Sequence, residues 1–223
     1  MSEGGKNRFD NPYLDAHGIP LNKLGIVDAK ELRDVEYRWV TTVDQELQLN
    51  PIPGRFDFNH LAAIHKKMFD PIFEWAGKQR TRDFAKISAA NPNWFNVFGS
   101  HKDIVSGVDA VADNLKHKNM LHGLTQHDFT LAIANVFCAL NYIHPFPDGN
   151  GRSAKAYLRQ LANQAGYILN FDKAGKRDWN VASSYSMGLT NRSDRNLQAP
   201  PDVQPIQRIF EKIVAPVGIA RAE

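Results

Sequence analysis

Two helical runs of apolar residues, separated by one short loop rich in proline and glycine, constrain this chain more than anything else in it. Before the loop, Phe129, Ile133, Val136, Phe137 and Leu140 recur at the spacing of one helix face. Thr125, followed three residues later by Asp128, resembles a capping box with Asp in place of Glu. A helix is therefore predicted over 125–142. Pro145 disfavours a helical residue before it and should end that helix near His144. After the loop, Ala154, Tyr157, Leu158, Leu161 and Ala165 line a second face, and Gly166 suits the position just past a helix end. A helix is predicted over 151–165.

The loop itself is His144-Pro-Phe-Pro-Asp-Gly-Asn-Gly-Arg-Ser-Ala-Lys155. Core segments do not have this composition. Gly149-Asn150-Gly151 supplies a turn that tolerates positive φ and leaves backbone N–H groups uncovered. A glycine turn opening a helix is an anion site, because its free N–H groups and the positive end of the helix dipole both favour phosphate. Arg152 and Lys155 add cationic reach towards the same volume. Asp148 offers a hard oxygen ligand, as a Mg²⁺ bridging phosphates requires. His144 has the pKa class needed to take a proton from a hydroxyl near neutral pH. Together these are the parts of phosphoryl or nucleotidyl transfer. Pro-Asp-Gly-Asn-Gly is also ordinary turn chemistry, and a lone histidine at a helix end is often only a cap. The full set in fixed order between two apolar helices favours the functional reading.

On these residues the chain resembles the Fic family. The loop matches the Fic signature H-x-F-x-[DE]-G-N-G-R-x-x-R at every defined position but the last, where Lys155 replaces Arg. Asn11-Pro-Tyr13, Leu61-Ala-Ala-Ile-His65 with Met68-Phe69, and Ile72-Phe-Glu-Trp-Ala-Gly77 followed by Arg80 also resemble segments common in that family. The resemblance implies a mostly α fold and transfer of AMP from ATP to a hydroxyl side chain of a target protein. It implies that His144 is the general base, Phe146 a core anchor and Asp148 the holder of Mg²⁺. Gly149, Asn150 and Gly151 would cradle phosphate, with Asn150 contacting a phosphate oxygen. Arg152 would pair with a β- or γ-phosphate oxygen. Lys155 would face the γ-phosphate with a point charge where Arg has a bidentate fork. Alternatives are a transferase using another nucleotide or phosphate donor, and a non-catalytic adaptor of the same fold.

Fic proteins also carry a β-hairpin flap that pins a target peptide by strand pairing. The corresponding stretch is 82–98, beginning at Arg82. Phe84, Lys86 and Ile87 are expected in one short strand, Trp94 and Phe95 in the other, with Asn91-Pro-Asn93 as the turn. Many relatives are inhibited by a helix carrying [ST]-x-x-x-E-[GN]. Thr42 to Glu46 has the spacing, but Leu47 follows; Glu211 has no Ser or Thr at the right offset. The chain thus resembles a toxin-type enzyme whose inhibitor is a separate small antitoxin. Family association suggests a type II topoisomerase subunit as target.

The rest of the chain is less specific. Its 223 residues suit one domain, expected over 11–223, with residues 1–10 disordered. The core of that domain is expected at about 55–190. Other helices are predicted at 27–48, 57–73, 100–116, 177–188 and 203–214, with Asn22 and Asp28 as caps and 191–201 as a loop. A net charge of +3 does not indicate nucleic-acid binding. The polar N-terminus has no signal-peptide pattern and no stretch has the length of a membrane span. Cys138, the one cysteine, excludes an intrachain disulfide and reads as a core residue. A cytoplasmic location is expected. His60 and His65 are five apart, a poor metal-binding spacing, and read as surface or packing residues.

Overall fold

The computed structural model describes residues 11–218. The chain is mostly α-helical, and three of its main helices begin on a side-chain cap. Helix α1 spans Ala29–Leu49; Asp28 accepts from the N–H groups of Lys30 and Glu31. Asn22 instead braces the turn before it, exchanging hydrogen bonds with Ile26. Helix α2 spans Phe58–Phe69 and is capped by Asp57. It stops at Asp70, short of the predicted 73, because Pro71 cannot continue it. Helix α3 spans Ile104–His117.

Helix α4, Gln126–Ile143, and helix α5, Asn150–Gln164, are the two runs on either side of the loop. Thr125 caps α4 through the Asp128 N–H at 3.2 Å. The α4 face of Phe129, Ile133, Phe137 and Leu140 is buried, as its spacing implies. It lies at the centre of the fold, packed on α3, α5 and α7 (Gln204–Ile213); α5 packs in turn on α1 and α2. Helix α6 spans Lys176–Tyr185 and packs on α7.

A small sheet lies beside the loop. Strand β1, Ala85–Ile87, pairs antiparallel with β2, Trp94–Val97, in the register Lys86↔Asn96. Phe84 falls just before β1, while Trp94 and Phe95 lie in β2, so a hairpin stands where one is expected. The region 191–201 is mostly the predicted loop, but two short strands bound it within the sheet. Strand β4, Leu189–Asn191, pairs with β2, and β5, Gln198–Ala199, pairs with β4. Asn191 accepts from the N–H groups of Ser193 and Asp194, turning the chain back, and Arg192 bonds the Asn93 carbonyl. The sheet order is β1-β2-β4-β5, which leaves β1 at an edge. Strands β3, Tyr167–Leu169, and β6, Val214–Pro216, pair separately. The stretch 1–10, expected to be disordered, lies outside the described residues.

Candidate active site

Helix α4 ends on His144, which adopts the left-handed conformation at φ 48°. Position and strain are both held by Arg80, whose side chain is fully buried. Its Nε donates to the His144 carbonyl at 2.8 Å and its Nη2 to the Ile143 carbonyl at 3.1 Å. The same guanidinium donates to the carbonyls of Arg82 and Gly99, which flank the hairpin. One cation therefore ties the end of α4 to both feet of the hairpin, and caps the negative end of the helix dipole.

The His144 imidazole is buried and stacks on Phe98 with ring centroids 3.8 Å apart. Its Nε2 lies 3.3 Å from the Lys86 ammonium on β1. Its Nδ1 is buried without a hydrogen-bond partner. Burial holds the imidazole pKa well below its ordinary value. The neighbouring Lys86 charge and, more weakly, Arg80 push the same way, against the Asn141 carbonyl. The ring is thus a neutral proton acceptor at neutral pH.

Phe146 is fully buried and stacks on His65 at 3.8 Å. His65 is the residue that sequence reasoning underweighted. It is fully buried on α2, and Nε2 bonds the Asp148 carbonyl at 3.0 Å while Nδ1 accepts from the Gly77 N–H at 2.9 Å. Burial depresses its pKa to about 4, so it stays neutral, with the proton on Nε2. His60 is also buried, where it contacts Phe56, Tyr157 and the Ile52 carbonyl. These two histidines pack against backbone groups, so a test of metal-ligand spacing could not reveal what they do.

Asn150 departs from the expected phosphate contact. Its carboxamide is folded back on the loop, accepting from the Phe146 N–H and donating to the Phe146 carbonyl, both at 2.8 Å. Only its backbone N–H remains for an anion. That group and the Gly151 N–H are helix-start donors without an intrahelical acceptor. Gly149 caps the helix at φ 77°, and its N–H is taken by the Asp148 carboxylate at 2.7 Å. Asp148 is otherwise exposed, and no cluster of three acidic, His or Cys ligands exists among the described residues. A single exposed carboxylate can serve a Mg²⁺ whose other ligands are waters and phosphates. Asp148 would hold it, and the ion would neutralise phosphate charge.

The two cations of α5 have different surroundings. Arg152 lies over Phe69, 4.8 Å from its ring centre, and its Nη2 is 2.7 Å from Glu36 of α1. Glu36 is buried, and burial raises its pKa despite the Arg152 charge. Nothing in the local sequence singled out Glu36. Lys155 instead sits on Trp179 and Phe171, 4.5 and 5.0 Å from their ring centres. Both cations, with Arg159 and Asp44, line a cavity of about 170 Å³. A second cavity, about 220 Å³, lies between Tyr13, Trp75, Phe84, Lys86, Pro147 and Asp148. A larger one, about 660 Å³, borders α3 away from His144; its Asp57 and Asp109 already accept from the His60 and Phe58 N–H groups.

Of the hairpin residues, Lys86 reaches His144, while Ile87 is exposed and Trp94 and Phe95 are half-buried. Phe84 packs edge-on against Tyr13. The backbone carbonyl of Arg82 is held by Arg80. The segments resembling the family upstream thus converge on the loop. Tyr13 bonds Thr81 and packs against Trp75, and His65 and Phe69 lie under Asp148 and Gly149.

The buried histidine and the bare helix N-terminus share one loop, on the residues that carry the Fic signature. Residues 55–162 match the Fic/DOC family model, and the chain belongs to that family. It is 33% identical over 175 residues to the protein adenylyltransferase VbhT of Bartonella schoenbuchensis, covering 78% of this chain but 35% of that protein. The chain thus spans about a third of that relative's length. It is 28% identical over 215 residues to the probable protein adenylyltransferase Fic of Escherichia coli K12, covering 96% of this chain and 95% of that one. Among solved structures, it resembles BepC of Bartonella tribocorum with bound AMPPNP, with a TM-score of 0.77 at 27% identity over 92% of this chain and 96% of that one. The N-terminal Fic domain of a Bartonella quintana effector with bound ADP gives a TM-score of 0.78 at 26% identity, over 95% and 98% of the two chains. No helix among the described residues is long and apolar enough to cross a membrane.

Proposed function

We propose that this chain transfers AMP from ATP to a hydroxyl side chain of a protein target. The observation that carries the reading is His144: neutral, buried, and with Nε2 facing the hairpin beside the open N-terminus of α5. The names of the relatives and the nucleotides in the related structures support it. The target hydroxyl gives its proton to His144 Nε2 as its oxygen bonds the α-phosphorus, and pyrophosphate leaves. The backbone N–H groups of Asn150 and Gly151 and the Arg152 guanidinium bind the phosphates, with Gly149 shaping the turn. Glu36 and Phe69 hold Arg152 in place. Asp148 holds the Mg²⁺ that accompanies ATP. Lys155 braces α5 against the aromatic rings and contributes charge at the phosphate site from a distance.

The target docks by adding a strand to β1, the exposed edge of the sheet. Ile87 and the other hairpin side chains contact it. By family association we further propose a cytoplasmic toxin held by a small antitoxin with an inhibitory helix, and a type II topoisomerase subunit as target.

The test is intact-mass analysis of proteins from a bacterial lysate incubated with this chain, ATP and Mg²⁺. One AMP should be gained by a discrete target, and the gain should be lost with folded His144→Ala. A gain of phosphate alone, or equal transfer by His144→Ala, would overturn the reading.

A further inference from the structure

The hydrogen bonding of His144 has a consequence for which nitrogen acts. An imidazole has two ring nitrogens, and in the neutral form one carries the proton while the other accepts. Here Nδ1 meets no partner at full hydrogen-bond geometry, and the acceptor that faces the ring is the Asn141 carbonyl, which favours a proton on Nδ1. Among the described residues, the polar side chain that bonds the other side is Lys86, at 3.3 Å from Nε2. An ammonium has three donors and no acceptor, so Nε2 must present its lone pair. Lys86 also lies 5.8 Å from the ring centre of Phe98, the ring on which His144 stacks. Base, stacking ring and lysine therefore form one unit across the hairpin.

Resting on the transfer reaction above, we propose that Lys86 is a positioning residue for His144. With the Asn141 carbonyl it sets the tautomer with the proton on Nδ1, covers the Nε2 lone pair while the site is empty, and yields it to the hydroxyl of a docked target. Its place on β1 makes the exchange geometrically direct. A strand added to β1 lies beside the residue that must give way. Lys86 itself is exposed, so leaving Nε2 returns the ammonium to water at little cost. Its departure also removes a positive charge from the imidazole, which strengthens the base once the acceptor is in place.

The groups around the ring are Lys86 from β1, Arg80 from the segment before it, Phe98 beyond β2 and the Asn141 carbonyl of α4. No carboxylate pairs with it among the described residues.

The test is a pH titration of the His144 ring by NMR in the full chain, with the resonances assigned by comparison with His144→Gln. In the wild type, Nε2 should report as a hydrogen-bonded acceptor, and the ring should stay neutral well into the acid range. Lys86→Met should shift the midpoint upward towards the ordinary imidazole value and mix the two tautomers. Lys86→Arg should keep the wild-type midpoint and tautomer. An unchanged midpoint and tautomer in Lys86→Met, or equal shifts in both variants, would overturn the proposal. Because the readout needs no target and no ATP, it separates from the proposed function. Absent AMP transfer with the expected titration would strike the reaction and leave Lys86 as the group that sets the tautomer.

Discussion

Gly149 and Gly151 look equivalent in the sequence, and the structure predicts opposite consequences for them. Gly149 has φ 77°, and a Cβ there would sit 2.5 Å from Cε2 and Cζ of Phe69 and 3.1 Å from His65 Nε2. The left-handed conformation costs an L-residue about 1–2 kcal/mol. Overpacking a tight core adds about 1–3 kcal/mol. Phe69 has little room to yield, since it is fully buried against His65, Phe73 and Trp75. Gly149→Ala should therefore cost roughly 2–5 kcal/mol, a large share of a stability that is about 5–15 kcal/mol for a typical protein. Gly151 is helical, and a Cβ there meets nothing within 4 Å. Gly151→Ala should stabilise by up to about 1 kcal/mol through helix propensity. Its methyl group projects beside the uncovered N–H groups and should obstruct nucleotide. Urea unfolding, with the slope checked for constancy, and ATP titration on both variants measure the contrast. If Gly149→Ala loses less than roughly 1 kcal/mol, the clash argument is wrong. If Gly151→Ala binds ATP like the wild type, the helix start is not the phosphate cradle.

Two further outcomes follow from buried or packed side chains. The His65 pKa is lowered to about 4 from 6.5, so the unfolded chain binds more protons between those values, and folding stability should fall as pH drops through that window. The loss is at most roughly 3 kcal/mol, and His144 adds to it in the same direction; urea unfolding at successive pH values should show a shallower slope in His65→Gln, and an identical slope would refute the assignment. Lys155→Met should cost about 1 kcal/mol of stability by losing the attraction of its ammonium to the two rings, and should weaken ATP binding less than Arg152→Met; calorimetric titration giving equal losses would return Lys155 to the role its place in the motif suggests.

What could be read from the sequence was whatever depended on neighbours along the chain. The apolar period of α4, the Thr125 cap, the stop before Pro145 and the turn at Gly149 are local, and they put the loop in its place. The hairpin at 82–98 was legible through family resemblance. Strands β4 and β5 were not, because they are three and two residues long and exist only by register with β2. Glu36 was not singled out, and Arg80 and His65 were named only as parts of family-like segments, for a related reason. Each is a polar group that becomes buried because its partners arrive from elsewhere: carbonyls of Ile143 and His144, the Asp148 carbonyl, the Arg152 guanidinium.

The pair Arg152 and Lys155 shows where local reasoning stops. Both are long cations in the first turns of α5, three residues apart, and either could reach a phosphate at the helix start. The two side chains are only about 60° apart around the helix and border one cavity, yet Arg152 turns to Glu36 of α1 and Phe69 of α2 while Lys155 turns to Phe171 and to Trp179 of α6. On one side Arg152 meets a carboxylate and the edge of the loop's own aromatic floor, Glu36 and Phe69. On the other Lys155 meets Trp179 and Phe171, which desolvate its ammonium and lower its pKa. A motif position fixes residue type and spacing along one helix. What each side chain meets is decided by which helices pack there, and in this chain that packing gives Arg152 a carboxylate at the edge of the loop and Lys155 an aromatic bed.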